Sequence, residues 1–232
     1  MIVVVGLAFE ARIAAGPGIR VICSGDGRNL AASLARAIGE ARAFTEGCGG
    51  LISFGVAGGL APNLDPGACV VGSAILSGTT RMVTDRQWSQ KLLQTIPDAV
   101  HGMLVGVPAP IGHPEAKRRL YIKTGAVAVD MESHIVAAVA AAHGLPFAAI
   151  RVITDPAVRT LPASALAAMR PDGTTDIAAM IRSLVQQPRE LPALLRTAFD
   201  AHAARSTLMR GRRLLGPRLG LPDLRELEFE LS

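Results

Sequence analysis

Residues 50–67 read GLISFGVAGGLAPNLDPG. The run at 50–54 is short, apolar and bounded by turn-forming residues, so it reads as a buried strand. It feeds a glycine loop at Gly55-Val56-Ala57-Gly58-Gly59. The same alternation extends in both directions. Strands are expected near 2–6, 19–23, 68–76, 101–107, 126–129 and 147–153. Helices are expected near 28–42, 86–95, 114–123, 132–143, 174–186 and 190–213, with Gly- and Pro-rich turns at 16–18, 24–27 and 55–67. Short β-rich runs interleaved with longer Ala-rich helical segments signal an α/β protein. No repeat and no long linker interrupts the pattern, which predicts a single domain over 1–187 and a helical C-terminal extension over 188–232.

Composition narrows the classes. The 232 residues are 50% hydrophobic, 19% charged and only 3% aromatic, too apolar for a disordered chain and dependent on Ala, Val, Leu and Ile for a core. No apolar run approaches the roughly 20 residues that a membrane-spanning helix needs. The N-terminus lacks a basic leader region and carries Glu10 where a signal peptide stays apolar. Cys23, Cys48 and Cys69 match no disulfide or metal spacing, and the five histidines show none either, so a reduced, cytoplasmic protein without a metal is expected. The net charge of +5 is uneven: residues 180–220 hold eight arginines against two acids, whereas the last twelve hold one arginine against four acids. That distribution, with so few aromatics, does not describe a nucleic-acid-binding face.

In an open α/β sheet, ligands gather beyond the carboxyl ends of the strands, where loops and helix N-termini converge. Four polar or glycine-rich features fall there: Glu10, the 55–59 loop, Asp130-Met131-Glu132 and Thr154-Asp155-Pro156. Each has a structural explanation when taken singly. Asp130 suits a helix N-cap, Glu132 a first-turn acid and Asp155 a turn, and Glu10 suits an exposed position on a short helix. Their joint occurrence at four strand ends points to a site.

The stretches GLAFEA (6–11), FGVAGGL (54–60), AVDMES (128–133) and IRVITD (150–155) together resemble the nucleoside phosphorylase and nucleosidase superfamily over about residues 1–185. GLAFEARIAAGPG (6–18), VDMESH (129–134) and the arginine-rich tail are similar to the hopanoid-biosynthesis-associated phosphorylases within it. The resemblance implies a mixed β-sheet flanked by helices and a homo-oligomer, most simply a dimer. It also implies cleavage of the N-glycosidic bond of an adenine nucleoside, with adenosylhopane as substrate and adenine as a product. Asp155 then matches the acid that protonates the purine, and Glu10 the residue that orients or activates the nucleophile. Glu132 matches the ribose-binding carboxylate and Met131 a ribose-packing side chain, while Val56, Ala57 and Gly58 line the substrate. An aromatic that stacks on the base in the nucleosidases is replaced here by the Pro- and Ala-rich stretch 106–114, so Phe147 or Phe9 is expected to take that part.

No cofactor is implied. Phosphate is a possible co-substrate, with Gly25, Gly27 and Arg28 as its candidate site; Val56, where relatives carry a hydroxyl residue, departs from a phosphate-binding pattern. A methylthioadenosine/S-adenosylhomocysteine nucleosidase is the enzymatic alternative, and a non-catalytic adenosine-binding or membrane-scaffolding protein the alternative of another class. From 189 to 213, Leu191, Leu194, Leu195, Phe199, Leu208 and Met209 are interleaved with Arg196, Arg205, Arg210, Arg212 and Arg213. This pattern fits either a helix packed on the domain or a basic amphipathic helix at the inner membrane surface.

Overall fold

The computed structural model describes residues 1–24, 29–42, 48–168, 170 and 173–222. The candidate phosphate residues Gly25, Gly27 and Arg28 lie outside them. Among the described residues, eight strands form one mixed sheet: β1 (Ile2–Val5), β2 (Arg20–Cys23), β3 (Leu51–Gly59), β4 (Cys69–Ser77), β5 (Thr80–Val83), β6 (Val100–Gly106), β7 (Ala128–Asp130) and β8 (Phe147–Asp155). The helices are α1 (Ala8–Ala14), α2 (Leu30–Arg42), α3 (Arg86–Thr95), α4 (Pro114–Thr124), α5 (Ser133–His143), α6 (Ala163–Ala167), α7 (Ile177–Gln186) and α8 (Leu191–Leu214).

The sheet runs β2-β1-β3-β7-β6-β4-β5, and β8 pairs with both β3 and β4. The pairings among β3, β7, β6, β4 and β8 therefore close on themselves. β1 is buried at all four residues, as a strand covered on both faces must be. Leu30, Leu34, Ala37 and Ile38 give α2 one buried stripe at helical spacing. Asp85 caps α3 by accepting from the Trp88 N–H at 2.8 Å, and Pro114 opens α4 where a missing N–H costs nothing.

The expected glycine loop is instead strand. β3 continues through 55–59, pairing Gly55 with Arg151 and Ala57 with Ile153, and a bulge follows before Gly58 meets Asp155. Gly58 and Gly59 also pair with Val129 and Ala128 of β7. Glycine argues against strand in isolation, but here a ladder on each side supplies the hydrogen bonds. The short elements β5, α1 and α6 carry too few residues to show a period. The C-terminal extension packs into the sheet's core: Ala204, Leu208, Leu215 and Leu219 are buried with Ile52, Trp88 and Val152, and Trp88 Nε1 donates to the Leu219 carbonyl at 2.9 Å. Among the described residues no helix is long and apolar enough to cross a membrane.

Candidate active site

The carboxyl ends of β1, β3, β7 and β8 open into one cavity of about 290 Å³. Glu10, Val56, Ala57, Gly58, Met131, Glu132 and Asp155 all line it. Four separate stretches of sequence thus converge on one volume. Phe147 does not join them. It begins β8 opposite Leu51, at the amino end of the strand whose far end carries Asp155, and it is buried in the core with Leu51 and Ala149. Phe9 lines the cavity instead, as do Pro110 and Ile111 from the stretch that lacks the aromatic.

Glu10 sits in the first turn of α1, 1% exposed. Its Oε2 accepts from the backbone N–H groups of Gly6 (2.9 Å) and Leu7 (2.8 Å), and Oε1 from that of Val56 (2.6 Å). A carboxylate has about four acceptor positions, so one remains, on Oε1. The chain is glycine at 55 because of this packing: a Cβ there would lie 2.6 Å from the Glu10 carboxyl carbon and 2.8 Å from Arg151 Nη1. Similarly, a Cβ at Gly6 would sit 2.8 Å from Glu132 Oε1.

Behind the cavity wall lies Arg151 of β8, fully buried. Its Nε donates to Asp130 Oδ2 at 2.5 Å, and its Nη2 to Ser53 Oγ at 2.6 Å and to Ser133 Oγ and Glu132 Oε2 at 3.2 Å. Asp130 also accepts from the Ser133 N–H at 3.1 Å and from the Ser133 hydroxyl, so it does cap the first turn of α5 while pairing with the arginine. One guanidinium thereby holds two carboxylates in place and acts on Glu10 through space. In the sequence, Arg151 is one residue within the strand run 147–153. Its partners lie 18 to 98 residues away in the chain, so no local pattern announces them.

On the opposite wall, Asp155 ends β8. Lys117 of α4, also fully buried, donates to Asp155 Oδ2 at 2.6 Å, and Thr154 Oγ1 to Asp155 Oδ1 at 3.1 Å. Lys117 was not singled out by sequence; within EAKRR it looks like one more solvated helix charge.

The sequence model of the Phosphorylase superfamily matches residues 5–186, a span that contains every one of these side chains. The chain belongs to that superfamily. Three solved structures similar to this superfamily member bear out the fold. The methylthioadenosine/S-adenosylhomocysteine nucleosidase of Neisseria meningitidis, in complex with methylthio-immucillin-A, superposes with a TM-score of 0.61 at 18% identity, covering 91% of this chain and 96% of that one. Futalosine hydrolase of Helicobacter pylori gives 0.59 at 18% identity over 80% and 97%. The corresponding nucleosidase of Colwellia psychrerythraea, in complex with adenine, gives 0.59 at 16% over 80% and 94%. Comparison with curated protein sequences finds no match. As a member of the superfamily the protein is an enzyme that cleaves N-glycosidic bonds.

The electrostatics of this phosphorylase-superfamily site are set first by burial, which favours the neutral form of a carboxyl group. Burial pushes Glu10 and Asp155 above the ordinary carboxylate range, against the pull of Arg151 and Lys117 respectively. Glu132 is pushed up to about 7: burial is the main cause, Asp130 and Glu10 add to it, and Arg151 opposes it. The folded state thus holds the Glu132 proton more tightly than the unfolded chain, whose ordinary value is 4.5. The stabilisation is complete below pH 4.5 and is lost as pH rises through about 7. Unfolding free energy measured by urea titration is expected to decline across that window, and Glu132→Gln to flatten the decline. An unchanged slope in the variant would assign the effect to another group.

Proposed function

We propose that the protein cleaves the N-glycosidic bond of adenosylhopane, releasing adenine and a ribosyl or phosphoribosyl hopane. The observation that carries the reading is the convergence of Asp155, Glu132, Met131 and Glu10 on one cavity. As the bond from C1′ to the purine nitrogen breaks, its electron pair leaves with the base and positive charge grows on the ribose. Asp155, whose burial favours the protonated form against the pull of Lys117, donates a proton to the departing purine. Glu132 accepts hydrogen bonds from the sugar hydroxyls, and in its ionised form, which gains as pH rises through about 7, its negative charge favours the oxocarbenium-like transition state. An oxygen of water or phosphate closes on C1′, and the free acceptor position of Glu10 takes the proton of a water nucleophile.

A lipid-bearing substrate is supported by what surrounds the cavity. Its volume of about 290 Å³ suits a nucleoside, so a polycyclic lipid on the 5′ carbon would lie outside. Part of the cavity wall is apolar, with Leu161, Ala165 and Ala168, and is completed by Thr197 and Ala201 of α8. The elements that build this wall also carry an exposed apolar face: Ile177, Ile181 and Val185 along α7, and Leu191, Leu195 and Phe199 along α8. Exposed Arg182, Arg189, Arg196 and Arg205 accompany that face. Among the described residues the acids nearby have partners of their own: Asp176 with Arg170, Glu190 with Ser164 and Asp200 with Arg159. An apolar surface flanked by exposed arginines fits an anionic lipid bilayer, where each arginine contributes about 1 kcal/mol. Peripheral contact with the inner membrane surface and a homodimer belong to the same proposal, the dimer on the strength of the family resemblance.

The test is adenine release, with and without phosphate, from adenosylhopane carried in phosphatidylglycerol-containing vesicles and from free methylthioadenosine. Preference for the hopanoid is expected, as is a loss of activity on vesicle-borne substrate alone in the double variant Ile181→Glu/Phe199→Glu. Phosphate dependence would identify the acceptor. Fast cleavage of methylthioadenosine with no action on the hopanoid would make the protein a methylthioadenosine nucleosidase instead.

A further inference from the structure

We infer that Lys117 is a positioning residue for the acid at Asp155, fixing which carboxyl oxygen carries the transferable proton and holding the turn that follows β8. The inference rests on the reading of Asp155 as that acid. A lysine is rarely buried without a compensating partner, and Lys117 has no exposed surface at all. Its ammonium group has three protons and meets four oxygens: Asp155 Oδ2 at 2.6 Å, the Asp155 carbonyl at 3.1 Å, the Pro156 carbonyl at 3.0 Å and the Arg159 carbonyl at 3.3 Å. All four belong to residues 155–159. One side chain from α4 therefore ties the carboxyl group to the main chain of its own turn.

Lys117 does not line the cavity, whereas Asp155 does. It therefore acts from behind, touching no substrate. Because an ammonium group only donates, Asp155 Oδ2 is committed as an acceptor, and the proton of the neutral acid resides on Oδ1, beside the Thr154 hydroxyl. Lysine also limits how strongly the buried acid retains that proton, since its charge opposes the effect of burial. The other charged groups around Asp155 are accounted for. The Arg159 guanidinium is paired with Asp200 of α8, and Asp130 and Glu132 on the other cavity wall are paired with Arg151. Among the described residues, Lys117 is the cation in contact with the acid.

The experiment is a double-mutant cycle on Lys117→Met and Asp155→Asn, read as kcat against pH with whichever nucleoside the wild-type enzyme cleaves. Asp155 is active only when protonated, so activity falls on the alkaline side as it ionises. Loss of the lysine charge is expected to move that limb to higher pH and to lower kcat at least tenfold with little change in KM. In the Asp155→Asn background, which has no acid to position, the same substitution is expected to cost much less. An unshifted limb together with an equal cost in both backgrounds would overturn the inference and leave Lys117 a purely structural residue. Should Lys117→Met not fold, Lys117→Arg retains the charge. Its alkaline limb is expected to stay in place while kcat falls, and a limb displaced upward would count against the role. A wild-type enzyme that releases no base from any nucleoside would instead defeat the functional reading itself.

Discussion

Asp155→Asn is expected to lower kcat for base release by about 10²–10⁴-fold, the usual contribution of a positioned general acid, the role proposed for this residue. The substitution is close to isosteric, and the amide oxygen still accepts from Lys117, which three backbone carbonyls continue to hold. What is lost is the proton. Binding of an uncleavable adenine nucleoside is therefore expected to change little, because Glu132, Met131 and Phe9 line the cavity independently of residue 155. Single-turnover adenine release paired with calorimetric binding separates the two quantities. A loss of less than tenfold in kcat would remove Asp155 from the role of acid, and an equal loss in affinity would make it a binding residue.

Arg151→Met is expected to cost about 3–5 kcal/mol of stability, the range found when one partner of a buried ion pair is removed. The magnitude follows from what the guanidinium neutralises. Asp130 and Glu132 lie in direct contact with it, Glu10 adds a third carboxyl group, and all three are buried. Without the cation, at least one of these groups must take up a proton to remain in the fold. The deficit is therefore largest at neutral and alkaline pH and shrinks in acid, where carboxyl groups are neutral in any case. Urea unfolding at two pH values tests both the size and the trend. A loss below 1 kcal/mol, or one that does not vary with pH, would mean that the carboxyl groups are already neutral beside the arginine.

Much of the site is legible in the sequence because its parts follow strands directly. An apolar run of strand length ending in an acid or glycine cluster marks a position at the edge of a sheet, and this locates Glu10, Glu132 and Asp155 without knowledge of strand order. The same reasoning misplaces Phe147: a resemblance suggests an aromatic but does not say which end of β8 faces the substrate. It also reads 55–59 as a loop, because the ladders that make those glycines a strand come from β7 and β8, more than 65 residues away.

By itself, the sequence determined the alternation of strand and helix, the superfamily, and three acids at strand ends, since these depend on short-range periodicity and adjacency. Only the tertiary structure decided which charges meet. Closure of the sheet through β8 sets Arg151 among three carboxyl groups, and the packing of α4 carries Lys117 to Asp155 across 38 residues. A lysine or arginine has the same local signature whether it is solvated or buried. Its partner exists only once distant segments have excluded water from around it, and it is that exclusion which gives the pair its strength.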